Sequence, residues 1–435
     1  LFFLLFLSIL LSLVILPVSS FAGIADCSLK SESQISQGSP EMLYLGYIKK
    51  IRGVINDSFY KPVNSETLVK GSFLKMKKAL PDLQIPKSST WESFDAFYSQ
   101  NCQGNPSVAA KLGEAAIDGM VEALNDPYSV LLTPAKRAIL EGGDGSGIGV
   151  EMGAKNGKVV VIAPIVGSPA EKAGLKSGDR IVAIRGKSVR NDTLYNASML
   201  IVGKRGDSID ITIERGSRTL TLRPVFQPLK IEPVKYMMLS DNVGYIKIGI
   251  FTGKIFSEVQ YALNYMKKNN ARGVIIDVRN NPGGDFDEAL KIAARFVPNG
   301  TLIWVVGKDG KPKPKESGSG ETFPAPVVIL INEGSASASE VMTAAIGGNG
   351  KATLMGRRTF GKGVVQTVFK LTGGALLNLT TEKYLTPGKN DINGVGITPH
   401  IILQEASQNP DPTKDKFVME AWKCIKGGKL KTGNF

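Results

Sequence analysis

The chain has little of the equipment that most hydrolytic and metal-dependent enzymes use. Among 435 residues there is one histidine, His400, and there are three cysteines, Cys27, Cys102 and Cys424. A Ser-His-Asp triad would have to be built on His400, which follows Thr398-Pro399 late in the chain. With no Cys-x-x-Cys and no clustered histidine, a zinc site is not expected. Neither a GxGxxG run after a strand nor a GxxxxGK[ST] loop occurs, so nucleotide binding is not expected either. No cofactor or metal is expected at all. Three cysteines allow at most one bridge and leave one thiol over. The net charge is +14, but the lysines and arginines are scattered. No basic stripe with interleaved aromatics appears, and this argues against a nucleic-acid partner.

What is present places the chain among globular proteins, with 43% hydrophobic and 21% charged residues. Its length calls for two or three domains. Leu1 to Leu16 is almost wholly apolar and is broken by Pro17. Ser20-Phe21-Ala22 then offers small residues for a cut before Gly23, the form of a secretory signal peptide. An uncleaved anchor is the alternative, since a span needs about 20 residues. Either way an exported location, periplasmic or otherwise extracytoplasmic, is expected, with residues 1–16 as a candidate membrane anchor.

Three textures follow. Residues 41–135 read as a helical region: Leu45, Ile48, Ile55 and Phe59 fall near a 3.6-residue period, Leu68 to Leu80 is a second run stopped by Pro81, and Val108 to Leu124 a third. Residues 81–107, with their prolines, serines and isolated aromatics, read as a loop-rich insertion. After the boundary Gly142-Gly143-Asp144-Gly145-Ser146-Gly147, residues 146–228 carry short β-strands around a small helix that opens at Pro169 and closes at Gly174. From residue 229 to about 405 strands and helices alternate: Val243 to Ile248, Phe256 to Lys267, Gly273 to Val278, Asp285 to Phe296, Thr301 to Val306, Val327 to Ile331, Ala338 to Ile346, then a hairpin of Val364 to Phe369 and Ala375 to Leu379. Residues 406–435 read as a tail with helical character.

Two segments carry the chemistry. Asn332-Glu333-Gly334-Ser335-Ala336-Ser337-Ala338-Ser339-Glu340 presents serines just after an apolar strand. Thr359-Phe360-Gly361-Lys362-Gly363-Val364-Val365-Gln366 presents a lysine between two glycines. A serine enzyme without histidine needs another base, and a desolvated lysine is the usual substitute. Its pKa must fall from about 10.4 to about 7–8, which burial in an apolar pocket can supply.

The middle segment resembles a PDZ domain through Gly147-Ile148-Gly149-Val150, Ser168-Pro169-Ala170-Glu171-Lys172-Ala173-Gly174-Leu175-Lys176-Ser177-Gly178-Asp179 and Gly186. In such domains the first loop offers backbone N–H groups to a C-terminal carboxylate, and an extended peptide adds to the sheet edge. With that string in place, the chain resembles the carboxy-terminal processing peptidases from about residue 41 to 405. The resemblance is carried by Asp126-Pro127-Tyr128-Ser129, Val243-Gly244-Tyr245-Ile246, Asp277-Val278-Arg279-Asn280-Asn281-Pro282-Gly283-Gly284, the serine and lysine runs, and Gly394-Val395-Gly396-Ile397-Thr398-Pro399. It implies a multidomain α/β protein: a crotonase-like protease core with an inserted PDZ domain and a helical N-terminal region. It implies Ser337 as nucleophile, Lys362 as general base and Gln366 as the group that orients the lysine. The backbone N–H groups of Gly283 and Ala338 would serve as oxyanion donors, and Gly147 to Val150 as the tail-binding loop. Protein substrates with apolar free C-termini are the expected partners. The resemblance also leaves room for an adaptor protein, for proximity to a membrane and for a homo-oligomer. Asp277 and Arg279 are expected to pair and hold the loop after them. His400 stands where relatives usually have Asp, and Val202 where many carry an arginine, so coupling of PDZ to protease can differ here. The competing readings are a catalytically inactive PDZ scaffold, a trypsin-like exported protease, whose histidine should precede its serine, and an acyl-CoA enzyme, which would not need a PDZ domain.

Overall fold

The computed structural model describes residues 25–26, 40–141, 146–371, 374–404 and 408–431. The proposed signal segment, Cys27, most of the glycine-rich boundary after residue 141 and the last four residues lie outside the described residues. Among the described residues no helix is long and apolar enough to cross a membrane. Cys102 and Cys424 are both buried and form no disulfide among the described residues.

The serine run follows a strand of a central sheet whose order is Val234–Met238, Val243–Ile248, Gly273–Asp277, Val327–Ile331, Thr353–Gly356 and Ile401–Ile402. The first pair is antiparallel and the rest are parallel. A parallel sheet is covered on both faces, which is why Gly273–Asp277 and Val327–Ile331 are buried at every position. Strand alternation then divides the apolar residues. Ile246, Ile248, Val274, Ile276, Ile329 and Ile331 pack under the helices Ile255–Lys268, Phe286–Ala293 and Ala338–Gly348. Val243, Tyr245, Ile275, Val328 and Leu330 pack against the C-terminal helix Lys416–Lys426.

A second sheet holds the lysine-bearing segment. Val364–Lys370 and Leu376–Leu385 form its antiparallel hairpin, flanked by Thr301–Val306 and Pro312–Glu316. Val130–Leu132, from the N-terminal region, also pairs with Leu376–Asn378. That region contains the helices Pro40–Ser58, Ser65–Ala79, Trp91–Cys102 and Pro106–Glu122. Their apolar faces close over Phe369, Leu371, Leu377 and Leu379 of the hairpin.

The helix Trp91–Cys102 corrects the loop-rich reading of 81–107. Thr90 caps it, accepting from the Ser93 N–H, and Ser93 in turn accepts from the Thr90 N–H. Its aromatics, Trp91, Phe94, Phe97 and Tyr98, are not isolated: at spacings of three and four they make one buried stripe against Phe73. Proline and serine before Thr90 hide that period from a composition-based reading.

The third unit is a sheet of Val150–Lys155, Lys158–Pro164, Arg180–Ile184, Ile211–Arg215 and Arg218–Leu222, with the short helices Pro169–Lys172 and Leu194–Leu200. Ser146–Gly147 pairs with Gln227–Pro228, bringing entry and exit of this unit together.

Candidate active site

The strand Val327–Ile331 leaves the sheet through a tight turn and re-enters as the helix Ala338–Gly348. Ser337 stands at the junction with φ 53° and ψ −118°. A left-handed φ at a non-glycine residue costs on the order of 1–3 kcal/mol and is kept only where the surroundings enforce it. Here the enforcement is visible. The hydroxyls of Ser335 and Ser339, both fully buried, donate to the carbonyls of Val278 (2.7 Å) and Asn281 (2.9 Å). They bind the serine turn to the Val278 and Asn281 carbonyls, and Ser335 Oγ also accepts from the Asn332 N–H (3.0 Å), whereas Ser337 between them stays half-exposed.

The lysine segment is fastened to the same turn by two groups. Glu340, with no exposed surface, accepts from the N–H of Ser337 (3.0 Å), Gly361 (2.8 Å) and Lys362 (2.8 Å) and from the hydroxyl of Thr359 (2.5 Å). Burial pushes its carboxyl pKa up, against the opposing effect of those donors. Tyr384 Oη donates to the Lys362 carbonyl at 2.7 Å and lies 3.2 Å from that of Ser337. Nucleophile and base segments, 25 positions apart in the chain, are thus held by a carboxylate on one side and a phenol on the other.

Lys362 is 1% exposed, one of the largest fully buried side chains among the described residues. Its ammonium lies 4.7 Å from the centroid of the Tyr128 ring. Burial brings its pKa down to about 8; the carboxylates of Glu151, Asp126 and Glu340 oppose that fall without cancelling it. An amine with that pKa is half free base at mildly alkaline pH, the condition for general-base work.

Gln366 is reached indirectly. Its amide donates to Thr380 Oγ1 (3.1 Å), Thr380 Oγ1 donates to Asp126 Oδ2 (2.7 Å), and Ser129 Oγ donates to the same oxygen (2.6 Å). The glutamine therefore joins the Asp126-Pro127-Tyr128-Ser129 turn, which also supplies the ring beneath the lysine. Sequence reading singled out that turn without a role. Tyr384 and Thr380 were missed altogether. Strand alternation could have put both on one face of Leu376–Leu385, but not against Lys362.

Of the two residues expected to be oxyanion donors, Ala338 is the first residue of its helix, where an N–H has no intrahelical acceptor. Gly283 lies two residues before Asp285, the N-cap of Phe286–Ala293, and its N–H donates to Asn281 Oδ1 at 2.9 Å. Its φ is 110°, and a Cβ there would meet Ser337 Cβ at 2.8 Å and the Ala338 nitrogen at 3.0 Å. Only glycine brings this loop so close to the nucleophile. The loop is braced from below: Arg279 pairs with Asp277 (2.7 Å) and Asp415 (3.0 Å), and Tyr245 Oη donates to Asp277. Asp415, the N-cap of the C-terminal helix, was not singled out in the sequence. His400 accepts from the Leu354 N–H through Nδ1 (3.0 Å), a bond within the scaffold.

In the β-rich unit, the Ile148 and Gly149 carbonyls accept from Ala170 N–H and Ile165 N–H, and Ser168 Oγ also donates to Gly149. Gly149 has φ 71°, and a Cβ there would meet Ser168 Cβ at 2.4 Å. Gly147 pairs with Gln227, while Ile148 and Val150 are core residues. The carbonyls of the loop are spent inward, as a loop that presents its N–H groups requires.

Comparison with known proteins agrees with this assembly. Residues 242–403 match the model of Peptidase family S41 and residues 146–223 that of the PDZ domain. Over 297 residues the chain is 39% identical to a probable CtpA-like serine protease of Staphylococcus haemolyticus, covering 67% of this chain and 60% of that protein. A Staphylococcus aureus protein of the same description is 38% identical over 299 residues. The chain therefore spans about 60% of the length of these relatives. Among solved structures, the photosystem II D1 C-terminal processing protease matches with a TM-score of 0.70 and 27% identity over 86% of this chain and 95% of that one.

Proposed function

We propose, because residues 242–403 match the model of Peptidase family S41 and residues 146–223 that of the PDZ domain, that this chain is an exported serine endopeptidase. It binds unstructured C-terminal tails of proteins through its PDZ domain and cleaves near them with a Ser337–Lys362 dyad. The observation that carries this reading is the buried Lys362 amine, with its lowered pKa, joined to the Ser337 turn by Glu340 and Tyr384.

The free amine of Lys362 takes the Ser337 hydroxyl proton as Oγ attacks the scissile carbonyl carbon. The carbonyl oxygen becomes the oxyanion, received by the Ala338 N–H at the positive end of its helix. The Gly283 N–H serves the second position by exchanging Asn281 Oδ1 for the oxyanion. As the C–N bond breaks, Lys362 returns its proton to the leaving amine and leaves an acyl-enzyme on Ser337. Water then attacks the ester carbon and gives a proton to Lys362, which passes it to Ser337 Oγ as the C–Oγ bond breaks and the product leaves with a new carboxyl group. Thr380 and Asp126 hold Gln366 for its part in orienting the base.

The Gly147–Val150 loop receives the substrate's terminal carboxylate, and the tail adds along the edge strand Val150–Lys155. The PDZ unit, lying between the helical region and the protease, also gates the site. Incubation with an unfolded protein ending in apolar residues, followed by product mass spectrometry, tests the whole reading. Discrete cleavage by the parent, its loss in Ser337→Ala, and a strong drop when the substrate's C-terminus is amidated are expected. Equal cleavage of free-acid and amidated tails would remove the carboxylate reading. Tail binding without cleavage by the parent would leave the inactive PDZ scaffold in its place.

A further inference from the structure

The outer strands of the two α/β-core sheets are finished differently. Ile401–Ile402 is only two residues long, and Pro312–Glu316 alternates proline with lysine; both are ordinary guards against pairing with another chain. Val234–Met238 has neither guard. It reads Val-Lys-Tyr-Met-Met, pairs with Val243–Ile248 without a bulge, and among the described residues has no strand on its other side. The Leu239 N–H donates to the Val243 carbonyl and the Gly249 N–H to the Pro233 carbonyl, both at 2.8 Å. Bonding to the sheet therefore falls on the odd-numbered residues. Val234, Tyr236 and Met238 turn their backbone N–H and C=O groups outward.

The side chains beside this free edge are aromatic. The Tyr236 ring lies 6.0 Å from that of Tyr261 and 5.3 Å from that of Tyr265, centroid to centroid, and those two stand one turn apart on the helix Ile255–Lys268. Tyr236, Tyr261 and Tyr265 are 38%, 65% and 38% exposed, and among the described residues no other aromatic side chain is as exposed. On the opposite face of the strand Met237 is exposed too, next to Lys235, which pairs with Glu232 at 2.9 Å. A tyrosine buries about 150–250 Å² when covered, so this trio has roughly 300 Å² left to cover.

We propose that a second copy of this chain docks on the edge, strand against antiparallel strand about a two-fold axis, with Tyr236 opposite the partner's Tyr236. Tyr236 then exchanges both backbone bonds with its equivalent, and Val234 does so with the partner's Met238. The two tyrosine trios meet on the helix-bearing face. Charge selects this register among those that pair the outward residues. Each Lys235 faces the partner's Met237, a flexible apolar side chain along which the lysine stem can lie. Sliding one strand so that Lys235 faces the partner's Lys235 sets like charges directly opposite, which is unfavourable. Sliding it the other way leaves Val234 unpaired. The two trios supply roughly 600 Å² before backbone and Met237 are added, so the contact lies near the lower bound of specific interfaces, about 1,200 Å². The dimer is therefore a reversible one of micromolar strength. It makes no use of the residues assigned to catalysis or tail binding.

Sedimentation equilibrium of the full chain in neutral, density-matched detergent should show monomer and dimer exchanging over the micromolar range. Tyr236→Pro removes an outward N–H and none that bonds to Val243–Ile248, so the dimer should be lost with the circular dichroism unchanged. Met237 reads the register. Met237→Lys sets a lysine pair on each side of the axis and should raise the dimer Kd several-fold, up to about thirtyfold; Met237→Glu makes two Lys–Glu pairs instead and should lower it by a similar factor. In a Cys27→Ser background, Tyr236→Cys should cross-link to itself under mild oxidation, because hydrogen-bonded partners stand about 5.5 Å apart at Cα, within disulfide reach. Lys235→Cys and Met237→Cys should cross-link to each other when mixed and far less when alone. Should Tyr236→Pro not fold, the opposite signs expected at Met237 decide the matter. A parent that stays monomeric through hundreds of micromolar overturns the second copy as occupant and leaves the edge to a different chain. A dimer indifferent to both Met237 variants lies on another surface and overturns the proposal as well. A dimer weakened by Met237→Lys and Met237→Glu alike overturns the register.

Discussion

Among the described residues two lysines have their pKa pulled down by burial, and their surroundings differ. Lys247 lies in the strand Val243–Ile248, donates to the Arg279 carbonyl at 2.6 Å and pairs with Asp277 at 3.2 Å. Burial pulls its pKa down, opposed by Asp277. Lys362 is buried more deeply, its ammonium faces an aromatic ring, and the nearby Glu340 and Asp126 accept from other donors. The first is a structural cation whose charge is matched on the spot, completing the Asp277–Arg279–Asp415 cluster under the Asn280–Gly284 loop. The second is held over an aromatic ring with its pKa lowered to about 8, which suits the role of base proposed for it. Burial alone does not distinguish a catalytic lysine from a scaffold lysine; the commitments of its counter-charges do.

Exchanging each lysine breaks the comparison if it is wrong. The largest effect is on catalysis at Lys362. Lys362→Ala and Lys362→Arg should each lose on the order of 10⁴-fold or more in kcat/KM, because arginine cannot give up its proton and the dyad acts as a unit. In the parent, activity should rise with pH through about 8. Retained activity in Lys362→Arg, or a rise near pH 6.5 lost in His400→Ala, would replace the lysine mechanism with a histidine one. Next comes stability at the other site. Lys247→Met leaves Asp277 short of a cation in a buried cluster and should cost roughly 3 kcal/mol in denaturant unfolding.

The sign reverses at Lys362. Its folded pKa lies below the unfolded value, so under about pH 8 the ammonium is charged in both states and the folded one bears the desolvation cost. Lys362→Met should therefore stabilise the protein by about 1–3 kcal/mol at pH 7. As pH rises from about 8 toward 10.5 the unfolded chain stays protonated while the folded one does not; the parent gains stability and the difference shrinks. A Lys362→Met protein less stable than the parent at pH 7 would mean the lysine is a second structural cation. The smallest effect is at Gln366, which meets Thr380 and through it Asp126: Gln366→Ala should lower kcat by about tenfold with KM little changed.

Much of the architecture was legible because it rests on periodicity. Thr301–Val306 and Val327–Ile331 were bounded as observed, and the helix after Ser337 begins where the small-residue run ends. The edge strand Val234–Met238 was not, since it is largely exposed and does not alternate like a half-buried strand. Trp91–Cys102 was hidden by the prolines before it. The choice of Ser337 came from the pattern of the run, and the fold adds a physical argument for it: the Ser335 and Ser339 hydroxyls donate to the Val278 and Asn281 carbonyls.

Residue chemistry along the chain determined the parts: a serine in a run of small residues, a lysine between glycines, a glycine-rich loop ahead of a β-rich unit, and a single histidine too late in the chain for a trypsin-like order. Tertiary structure decided what those parts are worth. The Lys362 pKa depends on Tyr128, Glu151, Asp126 and Glu340, which come from three separate stretches of chain, and on exclusion of water that none of them achieves alone. Alternation places Glu151 on a face of its strand, yet nothing local says that the face is closed by the base segment more than 200 positions later. Electrostatic free energy depends on distance and dielectric, and both are properties of the packed molecule.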